Sequence, residues 1–95
     1  MNHLEELKRN KEIFFNFMKE RYPIHYNSNI FERDLQYAIK RYFDKKDIRI
    51  TNPQAEDLLK QFTEYLEETG ELLKLNKNSW RVNFFKEEIV EEETV

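Results

Sequence analysis

The sequence has no cysteine, which excludes disulfide staples, thiolate metal sites and a cysteine nucleophile. Its one glycine, Gly70, cannot build a glycine-rich loop of the kind that cradles phosphates. Histidine occurs twice, as His3 and His25, and neither stands at a metal-ligand spacing from the other or at a motif's distance from an acid. Nor is any apolar run long enough for a signal peptide or a membrane span. Together these absences predict a cytoplasmic protein that is not an enzyme, holds no metal or cofactor and does not enter a membrane.

What is present suits one modest core. The chain has 95 residues, 39% of them hydrophobic and 15% aromatic, with eight phenylalanines. That is enough large apolar surface to offset the entropy of ordering a single domain. The domain is expected over residues 1–86, with residues 87–95 as a flexible acidic tail. A net charge of −3 conceals a division by segment. Arg33 to Arg49 holds six bases against three acids, and Lys74 to Lys86 four bases and no acid; Gln54 to Leu73 holds six acids against one base, and the tail five acids alone. Local basic surfaces can bind an anionic partner even where the total is negative, so the patches outweigh the sum.

Leu4, Leu7, Phe14 and Met18 recur at helical spacing in a helix predicted from Leu4 to Arg21, with Ile13 and Phe17 widening the stripe and Phe15 on a further face. This surplus has two readings. Either the helix is central and covered on several sides by its own domain, or Leu4, Leu7, Phe14, Phe15 and Met18 form the seam of a homodimer. Tyr22-Pro23 ends the helix, because the residue before proline is pushed out of the helical region.

A second helix is predicted from Ser28-Asn29, where Glu32 completes a capping box with Asn29. Phe31, Leu35, Ala38, Ile39, Tyr42 and Phe43 form its core stripe. Arg33, Tyr37, Lys40 and Arg41 share the opposite face, which suits either a phosphate grip with a packed ring or an ordinary solvated surface. Ile48-Arg49-Ile50 alternates like a short strand paired with the hairpin downstream. The third helix is predicted with Asn52 as cap and Pro53 at its first position, an apolar stripe of Ala55, Leu58, Leu59, Phe62 and Leu66, and Gly70 as terminator. Beyond it, Leu73 and Leu75, a turn at Asn76 to Ser79, and Trp80, Val82 and Phe84 read as a hairpin with one apolar and one basic-polar face. The alternation of Trp80 with Val82 and Phe84 favours burial over base stacking.

The fold class is thus mainly α with a small β-hairpin, an α+β arrangement. Three helices, with a short strand before the third and Gly-Glu-Leu-Leu-Lys-Leu at its end, and a hairpin ending in Trp-Arg-Val resemble the winged-helix branch of the helix-turn-helix DNA binders over about Leu4 to Phe85. The resemblance implies three helices with a two- to three-stranded antiparallel wing sheet. It further implies a major-groove contact from Gln54, Lys60, Gln61 and Thr63, and a wing contact from Lys74, Lys77, Asn78, Arg81 and Lys86. The outer face of the third helix departs from that pattern with Glu56, Asp57, Glu64, Glu67 and Glu68 around Lys60, and carboxylates beside phosphates cost binding energy.

Two functions are expected. One is a small homodimeric regulator of transcription that binds double-stranded DNA through Arg33, Tyr37, Lys40, Arg41 and the wing. The other is an acidic interaction module, a viral or mobile-element adaptor or inhibitor, that meets a basic protein partner through the third helix and the tail.

Overall fold

The structure, a computed structural model, describes residues 3–22 and 24–84; Lys86 and the predicted acidic tail at 87–95 lie outside them. Its elements run α1 (His3–Arg9), α2 (Lys11–Arg21), β1 (Asn29–Phe31), α3 (Glu32–Asp44), α4 (Asn52–Thr69), β2 (Leu72–Asn76) and β3 (Ser79–Val82). Four helices and a three-stranded antiparallel sheet make a mixed α+β fold.

The predicted first helix is broken at Asn10. That side-chain amide reaches back to the Glu6 carbonyl at 3.4 Å and its carboxylate at 2.9 Å, competing with the backbone ladder. The chain bends there into α1 and α2. At the far end Tyr22 is extended (φ −133°, ψ 152°), as a residue before proline must be.

Strand and helix starts differ from expectation in two linked ways. Ile48 to Ile50 forms no strand; Ile50 is instead buried in the core. The third strand is Asn29–Phe31, which pairs with β3 so that Ile30 faces Trp80. Helix α3 therefore begins at Glu32 rather than Ser28-Asn29, and its N-cap, Phe31, supplies no side-chain cap. Ser28 is occupied elsewhere: its hydroxyl donates to the His25 carbonyl at 2.7 Å, while its own carbonyl accepts from Val82. Pairing across the sheet outcompeted a local cap.

Helix α4 shows the clearest local determination. Thr51, not Asn52, is its cap: the Gln54 amide donates to the Thr51 hydroxyl at 3.3 Å, and the Gln54 side chain accepts from the Thr51 amide at 2.9 Å. Gly70 ends it at φ 82°, a left-handed conformation that glycine adopts without steric cost. Its buried stripe of Ala55, Leu58, Leu59, Phe62 and Leu66 touches α1, α3 and β2.

The core is rich in rings. Phe14 meets Tyr42 edge-on at 5.3 Å and Phe62 at 5.6 Å, and Phe15 stacks on Phe84 at 3.9 Å. Such pairs contribute about 0.5–1.5 kcal/mol each beyond area burial. Of the residues expected as a dimer seam, Leu7, Phe14, Phe15 and Met18 are all buried inside the domain and Leu4 packs against them. Most of the apolar surplus of this helix is consumed by its own chain, because α3, α4 and Phe84 cover it, while Ile13 stays exposed.

The hairpin register also corrects an expectation. Leu72 faces Val82 and Lys74 faces Trp80, whereas Leu73 faces Arg81. Directly opposed residues project to the same side of a sheet. Leu72, Trp80 and Val82 consequently enter the core, while Leu73 and Leu75 stay about half exposed on the outer side beside Arg81.

Candidate nucleic-acid interface

Helix α3 orients the first group of candidates. Its buried stripe of Leu35, Ala38, Ile39, Tyr42 and Phe43 turns Arg33, Tyr37 and Arg41 to solvent, with Lys40 at the border. Arg41 lies 4.9 Å over the Tyr37 ring and donates to its hydroxyl at 3.1 Å. This hydrogen bond, reinforced by the guanidinium charge, holds the phenol below its ordinary pKa. Lys40 donates across to the Asn52 side-chain Oδ1 at 2.7 Å, linking the face to the first turn of α4. Sequence reasoning took Asn52 for a cap and missed this contact; only the packing of α3 on α4 brings the two together.

The hairpin tip supplies the second group. Asn76 folds the turn by accepting from the Asn78 amide at 2.9 Å, and the Asn78 carbonyl accepts from the Glu32 amide at 2.8 Å. One backbone hydrogen bond thus fastens the tip to the start of α3. Between them lies an open hollow of about 520 Å³ lined by Phe31, Glu32, Arg33, Asp34, Gln36 and Asn78. Lys77 is exposed beside it in the turn. Arg33 and Asn78 therefore meet at this hollow together with Glu32 and Asp34, whereas Tyr37, Lys40 and Arg41 lie one to two turns further along α3.

The other candidates are dispersed. Lys74 is on the inner side of the hairpin, 5.9 Å from the Trp80 ring, and Arg81 is on the outer side of the sheet. Trp80 is buried and donates to Glu67 at 2.9 Å, so it offers no stacking surface. On α4, Gln54 is committed to the capping box and Gln61 donates to Asp57 at 3.0 Å; Lys60 is exposed among acids. Thr63 does not face outward as expected. It is buried and bonds the Leu59 carbonyl at 2.8 Å, because the apolar stripe of α4 is one position wider than the leucines and phenylalanine alone suggested.

Ion pairing divides the bases further. Lys11 meets Glu71 at 2.6 Å, and that hydrogen bond raises the lysine's pKa. Lys46 meets Glu6 at 3.3 Å. Burial alone would raise the Glu6 pKa, yet the hydrogen bond and charge of Lys46, aided by Asn10 and Tyr42, hold it below the usual carboxylate value. By contrast, among the described residues Arg33, Lys40, Arg41, Lys60, Lys77 and Arg81 have no carboxylate within ion-pairing distance.

No cluster of three or more metal-ligating side chains occurs among the described residues, and no helix there is long and apolar enough to cross a membrane. No protein-family profile, no curated protein and no solved structure matches this chain.

Proposed function

We propose that this chain is a small DNA-binding regulatory protein of winged-helix type that grips the duplex backbone with the outer face of α3 and the tip of the hairpin. One observation carries the reading: among the described residues, bases on two elements, Arg33, Lys40 and Arg41 on α3 and Lys77 on the turn, have no carboxylate partner, and the Glu32–Asn78 hydrogen bond ties the turn to the start of α3 next to Arg33. Unpaired cations at fixed spacing suit phosphates, which position a protein on DNA without specifying sequence. The winged-helix assignment draws its support from element order, with the hairpin directly after α4 and the strand before α3 completing the sheet. In this reading α4 contributes little to groove contact, since Glu56, Asp57, Glu64 and Glu68 are exposed around Lys60.

The test is duplex affinity measured across salt concentration. A steep decline is expected, with each phosphate contact adding about 0.9 to the slope of log affinity against log salt. Arg41→Ala should lower that slope by about one such contact; a slope near zero, or no binding at low salt, refutes the reading.

The same α4 face supports a second reading, a protein-interaction module for a basic partner. Four exposed carboxylates on one helix, Glu56, Asp57, Glu64 and Glu68, favour it. Charge reversal at Glu64 and Glu68 should then release the partner without weakening duplex binding.

A further inference from the structure

Five large hydrophobic side chains are exposed among the described residues: Ile13, Phe31, Tyr37, Leu73 and Leu75. Three of them lie on the outer side of one small sheet. Phe31 projects there from β1, two residues on from Asn29; Leu73 projects from β2 opposite Arg81; and Leu75 shares with Asn76 the irregular position opposite Ser79, which faces Phe31. Phe31 is 53% exposed, Leu73 45% and Leu75 44%, so this is where the domain leaves apolar area uncovered. Concentrated exposure of this kind marks an interaction surface more often than scattered single residues do.

Charge decides what fits it. Arg81 sits at the centre of the face, between Asn29 and Leu73, and has no carboxylate partner among the described residues. None of the three strands contains an acidic residue, and Lys77 stands at the turn. The occupant must therefore bring its own carboxylate together with apolar side chains. Among the described residues, strand order β1-β3-β2 also leaves β2 hydrogen-bonded on one side only, and the irregularity between Lys74 and Asn76 confines regular edge pairing to the Leu72–Lys74 end. We infer that the β2 side of this outer face, with the edge of β2, docks an extended acidic peptide segment of a partner protein, whose apolar residues cover Leu73 and Leu75 while a long acidic side chain reaches over β2 toward Arg81.

Two other occupants fit less well. A second copy paired antiparallel about Lys74 would oppose two lysines, and like charges directly opposite destabilise a strand pair. Single-stranded nucleic acid would satisfy Arg81, but Leu73 and Leu75 offer bases no aromatic platform. Strand addition, with main-chain bonds for affinity and alternate side chains for selectivity, matches both the free edge and the alternation of apolar and basic residues. The inference does not depend on DNA binding.

The experiment titrates the isotope-labelled full chain with three synthetic peptides, alternating Glu and Val, Lys and Val, or Glu and Ser, and follows backbone amide signals. Only the Glu–Val peptide is expected to bind, shifting the amides of Leu73, Lys74 and Arg81. The double variant L73S/L75S should weaken it about tenfold, in line with loss of a central anchor. Both leucines are half exposed, so an unchanged amide spectrum elsewhere verifies the fold of that variant, and its unchanged duplex affinity would separate this face from the α3 surface. Three results overturn the proposal: equal or tighter binding of the Lys–Val peptide, shifts confined to α3 or α4, or no titration. Concentration-dependent shifts of β2 without peptide, abolished in L73S/L75S, would also overturn it by assigning the face to a second copy.

Discussion

Helices α3 and α4 pack on each other and feed apolar stripes into one core, yet their outer faces differ in charge, α3 mixing Arg33 and Arg41 with Asp44 while α4 is mostly acidic. On α3 the exposed side presents Arg33, Tyr37 and Arg41, with the hairpin tip beside it; on α4 it presents Glu56, Asp57, Glu64 and Glu68 around Lys60. Burial fixes which side of each helix faces inward and leaves the other side free. Charge segregation of this kind is therefore information about partners and not about folding. A duplex and a basic protein could each read one face without disturbing the other.

The largest effect should come from removing what both faces share. Phe62→Ala empties the centre of the core beside Phe14 and should destabilise by about 3–5 kcal/mol in denaturant unfolding, abolishing both surfaces together. Next in size is a pair of substitutions that pull the faces apart. Arg33→Ala with Lys77→Ala should lower duplex affinity at low salt by about tenfold, since loss of phosphate contacts acts uniformly across sequences. Glu64→Lys with Glu68→Lys should raise that affinity; if the two double variants act in the same direction, the assignment of DNA to α3 is lost.

A smaller change probes the junction between the helices. Thr51→Ala removes the capping box next to the Lys40–Asn52 contact and should cost about 1 kcal/mol in thermal or denaturant unfolding, with little change in the salt slope. The smallest effect concerns pH. Glu6 is held below its ordinary value of 4.5 in the folded state, so its contribution to stability is present above that value and fades as pH falls through the lowered one. Glu6→Gln should flatten the stability profile in that acidic window by lowering stability above it and leaving stability below it almost unchanged, and the loss should be small because Lys46 is 43% exposed.

How much was legible in the residues depended on how far away their partners lay. The stripe of α4, its proline and its terminal glycine are local signals, and the helix follows them to within a residue of its cap. Strand β1 is different: Asn29-Ile30-Phe31 alternates no better than Ile48-Arg49-Ile50, and only Trp80, far along the chain, selects the former. A period of two gives Leu72, Leu73 and Leu75 two possible faces, and the choice between them belongs to the pairing with β3. The basic face of α3 was visible from spacing alone. Its union with Lys77 and Asn78 was not, since no local pattern announces a hydrogen bond between a turn and a distant helix start.

That bond, from the Glu32 amide to the Asn78 carbonyl, is made by main-chain atoms on both sides. Side chains at either end can therefore be exchanged without altering the distance between the turn and the helix, so spacing is inherited separately from chemistry. Proline alone removes the donor, and position 32 happens to accept it: it is the first residue of α3, where proline is tolerated, and Phe31 before it is already extended (φ −107°, ψ 155°). Glu32→Pro would accordingly remove this tie while sparing both elements, leaving the β1–β3 pairing at Phe31 and Ser79 as the link between turn and helix.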